Sequence, residues 1–263
     1  HFAVHSGPEA ERHRFDVHPS KKDMEETYLP AFEAAVKQGD VEAVMGAYNA
    51  VNGYPCCGSP ELLQGYLREK WGFQGHVVSD CWAINDFHEH HHFTDTPAES
   101  SAAALKAGTD LNCGCTYRCL LTALAQKLIS EADIRQAAVR LFTTRYLLGI
   151  MDGQHTEFDN IPYSKVECKA HTDYAIQAAE KGIVLLKNDG ILPLCKENLT
   201  SIGVIGPNAN SRAALIGNYY GTSSRYITVL EGIQDEVGDD VRVYYSQGCH
   251  LFKDRAESLA RPN

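Results

Sequence analysis

The stretch "GFQGHVVSDCWAI", residues 72–84, drives the adjacent Val77 and Val78 into Ser79, Asp80, Cys81 and Trp82. A short apolar run bounded by turn signals reads as a buried strand. A carboxylate at the carboxyl end of such a strand stands where βα barrels place their reacting groups. A strand-end Asp also commonly caps the helix that follows it, and position alone leaves both readings open for Asp80. Asp110, in "GTDLNCG", has the same placement and reads as a cap or as a group supporting the site from behind.

Other residues could join this chemistry. His1 and His5 lie four apart around a strand end, and an imidazole there can donate to a ligand hydroxyl. Met45 and Tyr48 close the strand "AVMGAYN", where a thioether or an aromatic ring can wall a pocket. The run "DFHEHHHF", 86–93, has the donors for zinc but not the H-E-x-x-H helix spacing, so it reads as a solvated, pH-sensitive loop. Cys113, Cys115 and Cys119 have no second matching half for a zinc site, and the nine cysteines read as buried thiols with one disulfide. "GPNAN", 206–210, lacks both phosphate-loop spacings, which argues against nucleotide binding. No metal and no cofactor is expected.

The elements that must position these groups alternate. Strand-like segments are "HFAVH", "AVMGAYNAVNG", "HVVSD" and the short end "GTDLNCG". Helical periodicity covers 23–38, 97–107, 116–129 and 131–148, and Ser59-Pro60-Glu61 opens a further helix through Lys70. Ser130 with Asp133 three residues on marks a capped helix start. Nearly all-apolar strands in β-α-β-α order imply a parallel sheet covered on both faces. About four such units fit into residues 1–150, whereas a complete eight-stranded barrel takes roughly 250 residues. The fold class expected is therefore α/β, the C-terminal half of a (β/α)8-type barrel or a small open sheet. Residues 151–171 carry breakers and weak periodicity, as a linker does. From 172 to 263 a second α/β unit begins, with helix 172–181, strands in "GIVLLKND", "SIGVIGPNAN" and "VRVYYSQGC", and the helix "TVLEGIQDEV".

Composition narrows the partners. The chain has 263 residues, 44% of them hydrophobic and 22% charged, with net charge −10. That is a core-forming composition without the basic stripe of a nucleic-acid binder. No apolar run reaches the roughly 18 residues that span a bilayer. The chain opens on His1 inside domain-like sequence and ends on "AESLARPN" without a closing pattern, as a piece of a longer protein would.

The ordered set "HFAVHSGPE...RH", "VMGAYNAVNGYPCCGSPELL", "LREKWGFQGHVVSDCWAI", "AGTDLNCG", "NIPYS" and "GIVLLKNDGILPL...IGVIGPNAN" resembles family 3 glycoside hydrolases over nearly the whole chain. "SDC" followed by "TDLNCG" is most similar to the β-xylosidase branch of bacteria and plants; the β-glucosidases more often read "SDW". The resemblance implies a (β/α)8 or incomplete barrel, then an α/β sandwich domain, with the active site between them. It implies Asp80 as the catalytic nucleophile. His1 matches the His of a "KH" pair that binds sugar, its Lys expected just before the chain begins. Met45 and Tyr48 match pocket walls, and Arg12 an Arg that supports the site. Trp82 falls near the aromatic that faces the next sugar, one residue later than in "SDW" members.

The implied chemistry is retaining hydrolysis, in which one carboxylate attacks the anomeric carbon and a second carboxyl group, roughly 5–5.5 Å away, handles the proton. Donors such as His1 and backbone N–H groups should keep Asp80 ionised, and the Trp82 indole offers an apolar face to a sugar ring. Some members use an Asp–His pair in the loop after "KH"; "SGPEAERHRF" lacks its Asp-x-His pattern, so the acid/base is expected beyond Asn263. These 263 residues alone should then turn over an aryl xyloside poorly. The function expected is release of xylose from xylo-oligosaccharides. A β-glucosidase, a non-catalytic sugar-binding chain and a metallohydrolase marked by the His-rich loop are the alternatives. The partner expected is an oligosaccharide, and the compartment leans to the periplasm or the cell exterior.

Overall fold

The structure is a computed structural model that describes all residues except 152, 154, 217–220 and 254–263. The stretches 217–220 and 254–263, read above as part of the second domain, lie outside the described residues. The described chain is α/β and forms two units, His1–Thr156 and Glu157–Asn263.

In the first unit the short strands are β1 (Asp16–Val17), β2 (Ala43–Gly46), β3 (Ala50–Val51), β4 (Tyr54–Pro55) and β5 (His76–Ser79). β2 and β5 pair in parallel, from Ala43 opposite His76 to Gly46 opposite Ser79. Two parallel bridges extend this pair, Phe2 to Gly46 on one side and Leu111 to Val78 on the other. The parallel order is thus Phe2, β2, β5, Leu111. All four segments reach the same edge, where Asp80 follows Ser79. β1, β3 and β4 form a separate small sheet.

Helices cover these strands. The helix Pro97–Ala107 starts on a capping box between Thr96 and Glu99, has Pro97 in its first turn and stops at Gly108, whose φ of 114° suits glycine. The helix Glu131–Leu147 starts on the expected Ser130–Asp133 capping box. Glu61–Lys70 winds as a π-helix after Ser59, whose Oγ accepts from Leu62 N. Leu63 and Leu67 on that helix pack with Phe2 and Val77 into a closed core, each burial worth about 1.5–3 kcal/mol. That core fixes the floor beneath the strand ends.

In the first unit, four expected elements come out differently. "HFAVH" is not a strand beyond Phe2, because Asn49 Nδ2 reaches the carbonyls of Ala3 (3.4 Å) and Val4 (3.2 Å) and Val4 turns to φ 57°. "AVMGAYNAVNG" breaks after Gly46 and sends Ala50–Val51 to the other sheet. The helix expected over 23–38 is cut into Lys21–Asp23, a π-turn Met24–Tyr28 and Pro30–Lys37. Pro30 cannot donate a helical hydrogen bond, so the chain restarts there. The helix expected over 116–129 is a 3-10 turn, Thr116–Cys119, followed by Leu120–Ala125.

In the second unit, β6 (Ser201–Ile205) and β7 (Arg242–Ser246) pair in parallel. The helix Val229–Val237 lies between them in sequence, opened by a Thr228–Glu231 capping box. "GIVLLKND" is not a strand: among the described residues it joins no ladder, and Val184, Leu185 and Leu186 are exposed. Among the described residues no helix is long and apolar enough to cross a membrane.

Candidate active site

Asp80 is 4% exposed and held from three sides. Its N–H donates to Gly46 O at 3.0 Å, which ties it to β2. Its Oδ1 accepts from Cys81 N at 2.8 Å. His1 Nε2 stands 2.7 Å from Oδ2. That contact lies off the line of the ring N–H, so the buried Oδ2 has no aligned donor among the described residues. One carboxylate oxygen is therefore anchored by a backbone donor, and the other is buried against the His1 ring.

The residues after Asp80 are stitched to the loop after Leu111. Cys81 and Cys113 form a disulfide. Ser79 Oγ accepts from Cys113 N at 3.0 Å and Asn112 Nδ2 at 3.2 Å, and Trp82 N donates to Cys113 O at 2.8 Å. Trp82 has φ 72° and is 52% exposed, two residues after Asp80 in the chain. The sequence left open which cysteines pair. Cys56 and Cys57 are buried free thiols, and burial pushes Cys56 up to about 12.

Tyr48 gathers the remaining candidates. Its ring centroid lies 6.4 Å from His1, 6.1 Å from His5 and 4.4 Å from His13, and the Arg12 guanidinium sits 5.6 Å over it. Its carbonyl accepts from His91 Nε2 at 2.9 Å. Arg12 pairs with Glu9 and donates through Nε to His13 Nε2 at 3.2 Å. His13 Nε2 is then an acceptor, so Nδ1 carries the proton and donates to Asp86 Oδ2 at 2.8 Å. Met45 lies on β2 opposite Val78 with its side chain exposed.

The structure thus brings His1 to Asp80, sets Tyr48 beside His1, and sets Arg12 over the Tyr48 ring. Sequence reasoning passed over His13, Asp86 and Asn49 and set His5 aside. The only signal for His13 is its place next to Arg12, and Asp86 was read as part of the His-rich loop. That loop reading is corrected. Asp86–Glu89 is a helical turn, Asp86 is buried, and His88 Nδ1 meets Ser100 Oγ at 2.9 Å. Burial raises the Asp86 carboxyl above the usual carboxylate range, partly offset by the His13 hydrogen bond. Burial also lowers His91. Of the four histidines in this run, His90 and His92 are the exposed ones. Among the described residues, no three His, Cys, Asp or Glu side chains are grouped to hold a metal ion.

Asp110 is neither a helix cap nor part of the exposed site. Its carboxylate accepts from Val77 N at 2.9 Å, Arg68 Nη2 at 3.0 Å and Arg140 Nη1 at 3.1 Å. It ties the start of β5 to two helices and so holds the strand that carries Asp80.

A buried carboxylate at the carboxyl end of parallel strands, with an imidazole 2.7 Å from one oxygen, stands where α/β barrel enzymes place their reacting groups. Residues 1–145 match the glycosyl hydrolase family 3 N terminal domain and residues 183–262 its C-terminal domain. The chain belongs to glycosyl hydrolase family 3. It is 41% identical over 260 residues to a xylan 1,4-beta-xylosidase of Xylanibacter ruminicola, spanning 97% of this chain and 30% of that protein. It is 41% identical over 227 residues to a beta-xylosidase/alpha-L-arabinofuranosidase 2 of Medicago sativa, spanning 85% of this chain and 29% of that protein. Among solved structures, it matches a GH3 exo-beta-xylosidase (XlnD) in complex with a xylobiose aziridine probe. There the TM-score is 0.85 at 33% identity, covering 97% of this chain and 33% of that one. It also matches a beta-glucosidase from Listeria innocua with TM-score 0.78 at 27% identity, covering 97% of this chain and 35% of that one. The chain thus spans about a third of the length of these relatives.

Proposed function

We propose that the intact protein carrying this chain is a retaining exo-β-D-xylosidase that releases xylose from xylo-oligosaccharides. The observation that carries this reading is the buried Asp80 carboxylate, with Oδ1 held by Cys81 N and Oδ2 without an aligned hydrogen bond, 2.7 Å from His1 Nε2. In this reading Oδ2 attacks the anomeric carbon as the glycosidic C–O bond breaks. The leaving oxygen takes its proton from an acid/base group expected beyond Asn263. Water then attacks the same carbon, that group removes its proton, and xylose and the Asp80 carboxylate are released.

His1 binds a sugar hydroxyl beside Asp80. Tyr48 and Met45 wall the pocket, Arg12 supports it through Tyr48 and His13, and the Trp82 indole faces the next sugar. The fold reading that accompanies this is the second half of a (β/α)8-type barrel over 1–150, supported by the parallel order Phe2, β2, β5, Leu111. A linker then covers 151–171, and 172–263 is the first part of an α/β sandwich.

Xylose is preferred because relatives named as β-xylosidases reach 41% identity. The second reading, a β-glucosidase with the same mechanism, is supported by the Listeria innocua likeness. Parallel kinetics on 4-nitrophenyl β-D-xyloside and β-D-glucoside separate the two. The xyloside should show the higher kcat/KM, and a strong glucoside preference reverses the order. Asp80→Asn should lower kcat about a thousandfold or more, roughly 4 kcal/mol; unchanged turnover excludes Asp80 as nucleophile.

A further inference from the structure

Asn49 is fully buried and spends its whole amide on one corner of the site. Its Nδ2 faces three carbonyl oxygens, Ala3 at 3.4 Å, Val4 at 3.2 Å and Ala50 at 3.1 Å. Carbonyls only accept, so the nitrogen must be on that side; the flipped amide would set oxygen against oxygen. Its Oδ1 then faces His5 Nδ1 at 3.1 Å, and an amide oxygen can only accept. His5 Nδ1 therefore carries a proton. The His5 ring is packed by Phe15 at 6.1 Å and lies 4.5 Å from the His1 ring, tilted by 33°. His1 in turn reaches Asp80.

We propose that Asn49 and His5 together position His1: the buried amide fixes His5 in its Nδ1–H tautomer, and the face of that ring holds His1 Nε2 at Asp80. The inference rests on the reading of Asp80 and His1 given above. It makes His5 a positioning residue that acts through His1. It also gives Asn49 a role beyond the turn it closes. With Nδ1 donating to Asn49 Oδ1, the Nδ1–H tautomer leaves His5 Nε2 as an acceptor.

The test is a double-mutant cycle in the intact protein, read as kcat/KM on 4-nitrophenyl β-D-xyloside. His5→Asn keeps an amide donor for Asn49 Oδ1 and removes the ring face. It should lose about tenfold, and His1→Ala about a hundredfold. The double variant should lose no more than His1→Ala alone, because His5 has nothing left to position. Losses that multiply, or a His5→Asn enzyme within about twofold of the parent, overturn the inference. An unchanged His1→Ala enzyme overturns the reading of the site itself, and the inference falls with it. If His5→Asn does not fold, neutron diffraction of the unaltered protein decides. A deuteron on His5 Nδ1 and none on Nε2 is expected, and a deuteron on Nε2 contradicts it.

Discussion

His1 Nε2 lies 2.7 Å from Asp80 Oδ2, joining the segment around Phe2 to the end of β5 across the intervening strand β2. The contact exists because Phe2 N donates to Met45 O and Asp80 N to Gly46 O, both at the end of β2. The backbone register brings an imidazole and a carboxylate together before any ligand arrives.

The stitch beside Asp80 should matter for stability. Cys81 and Cys113 are separated by 32 residues in sequence, and closing a loop of that size corresponds to about 3–4 kcal/mol in the chain-entropy view. Replacing both by Ser should lower urea-denaturation stability by up to that amount. An unchanged midpoint with an unchanged slope contradicts this.

Asp110 should be among the costliest polar positions to truncate. Arg68 is nearly buried, and its pKa is lowered to about 10 by burial and by the nearby Arg140 charge. Asp110→Ala leaves that guanidinium buried without its carboxylate, a loss of about 3–5 kcal/mol. Chemical denaturation of the variant measures it; a loss within about 0.5 kcal/mol, typical of surface sites, contradicts the account.

Asp86 gives a pH signature with a definite sign. Its folded pKa is raised, burial being the larger cause. Between the usual carboxylate value and the folded one, the folded state binds more protons than the unfolded state. The contribution from this group is full at lower pH and is lost as pH rises through that interval. Asp86→Asn removes the titration, so the variant should gain Tm relative to the parent as pH rises from the usual carboxylate value through the raised folded one. A relative loss over that range contradicts the assignment.

Trp82 should act on binding more than on chemistry. Trp82 is exposed and has no part in the proposed bond-making step. Trp82→Ala should raise KM for xylobiose about tenfold and leave kcat within about threefold, the pattern of uniform binding. A fall in kcat with KM unchanged would place the ring in the transition state instead.

Much of this arrangement is legible in the residues. "HVVSD" is legible as a strand because β-branched residues run into a breaker, and His76–Ser79 is that strand. Glu131–Leu147 is legible because Ser130 and Asp133 satisfy each other locally. "GIVLLKND" misleads for the converse reason: a strand needs a partner to accept its ladder, and local composition does not supply one. The links that finish the site are long-range. His5 finds Asn49 across 44 residues and His13 finds Asp86 across 73. No spacing rule reports such pairs, since both depend on how the strand ends converge.

The claim on which the mechanism stands is that Asp80 bonds covalently to the sugar. Incubating the intact protein with a 2-deoxy-2-fluoro xyloside, then digesting it and reading the peptides by mass spectrometry, tests this directly. The account predicts a fluoroxylosyl mass on the peptide spanning "HVVSDCWAI", carried by Asp80. The same mass on any other side chain contradicts it.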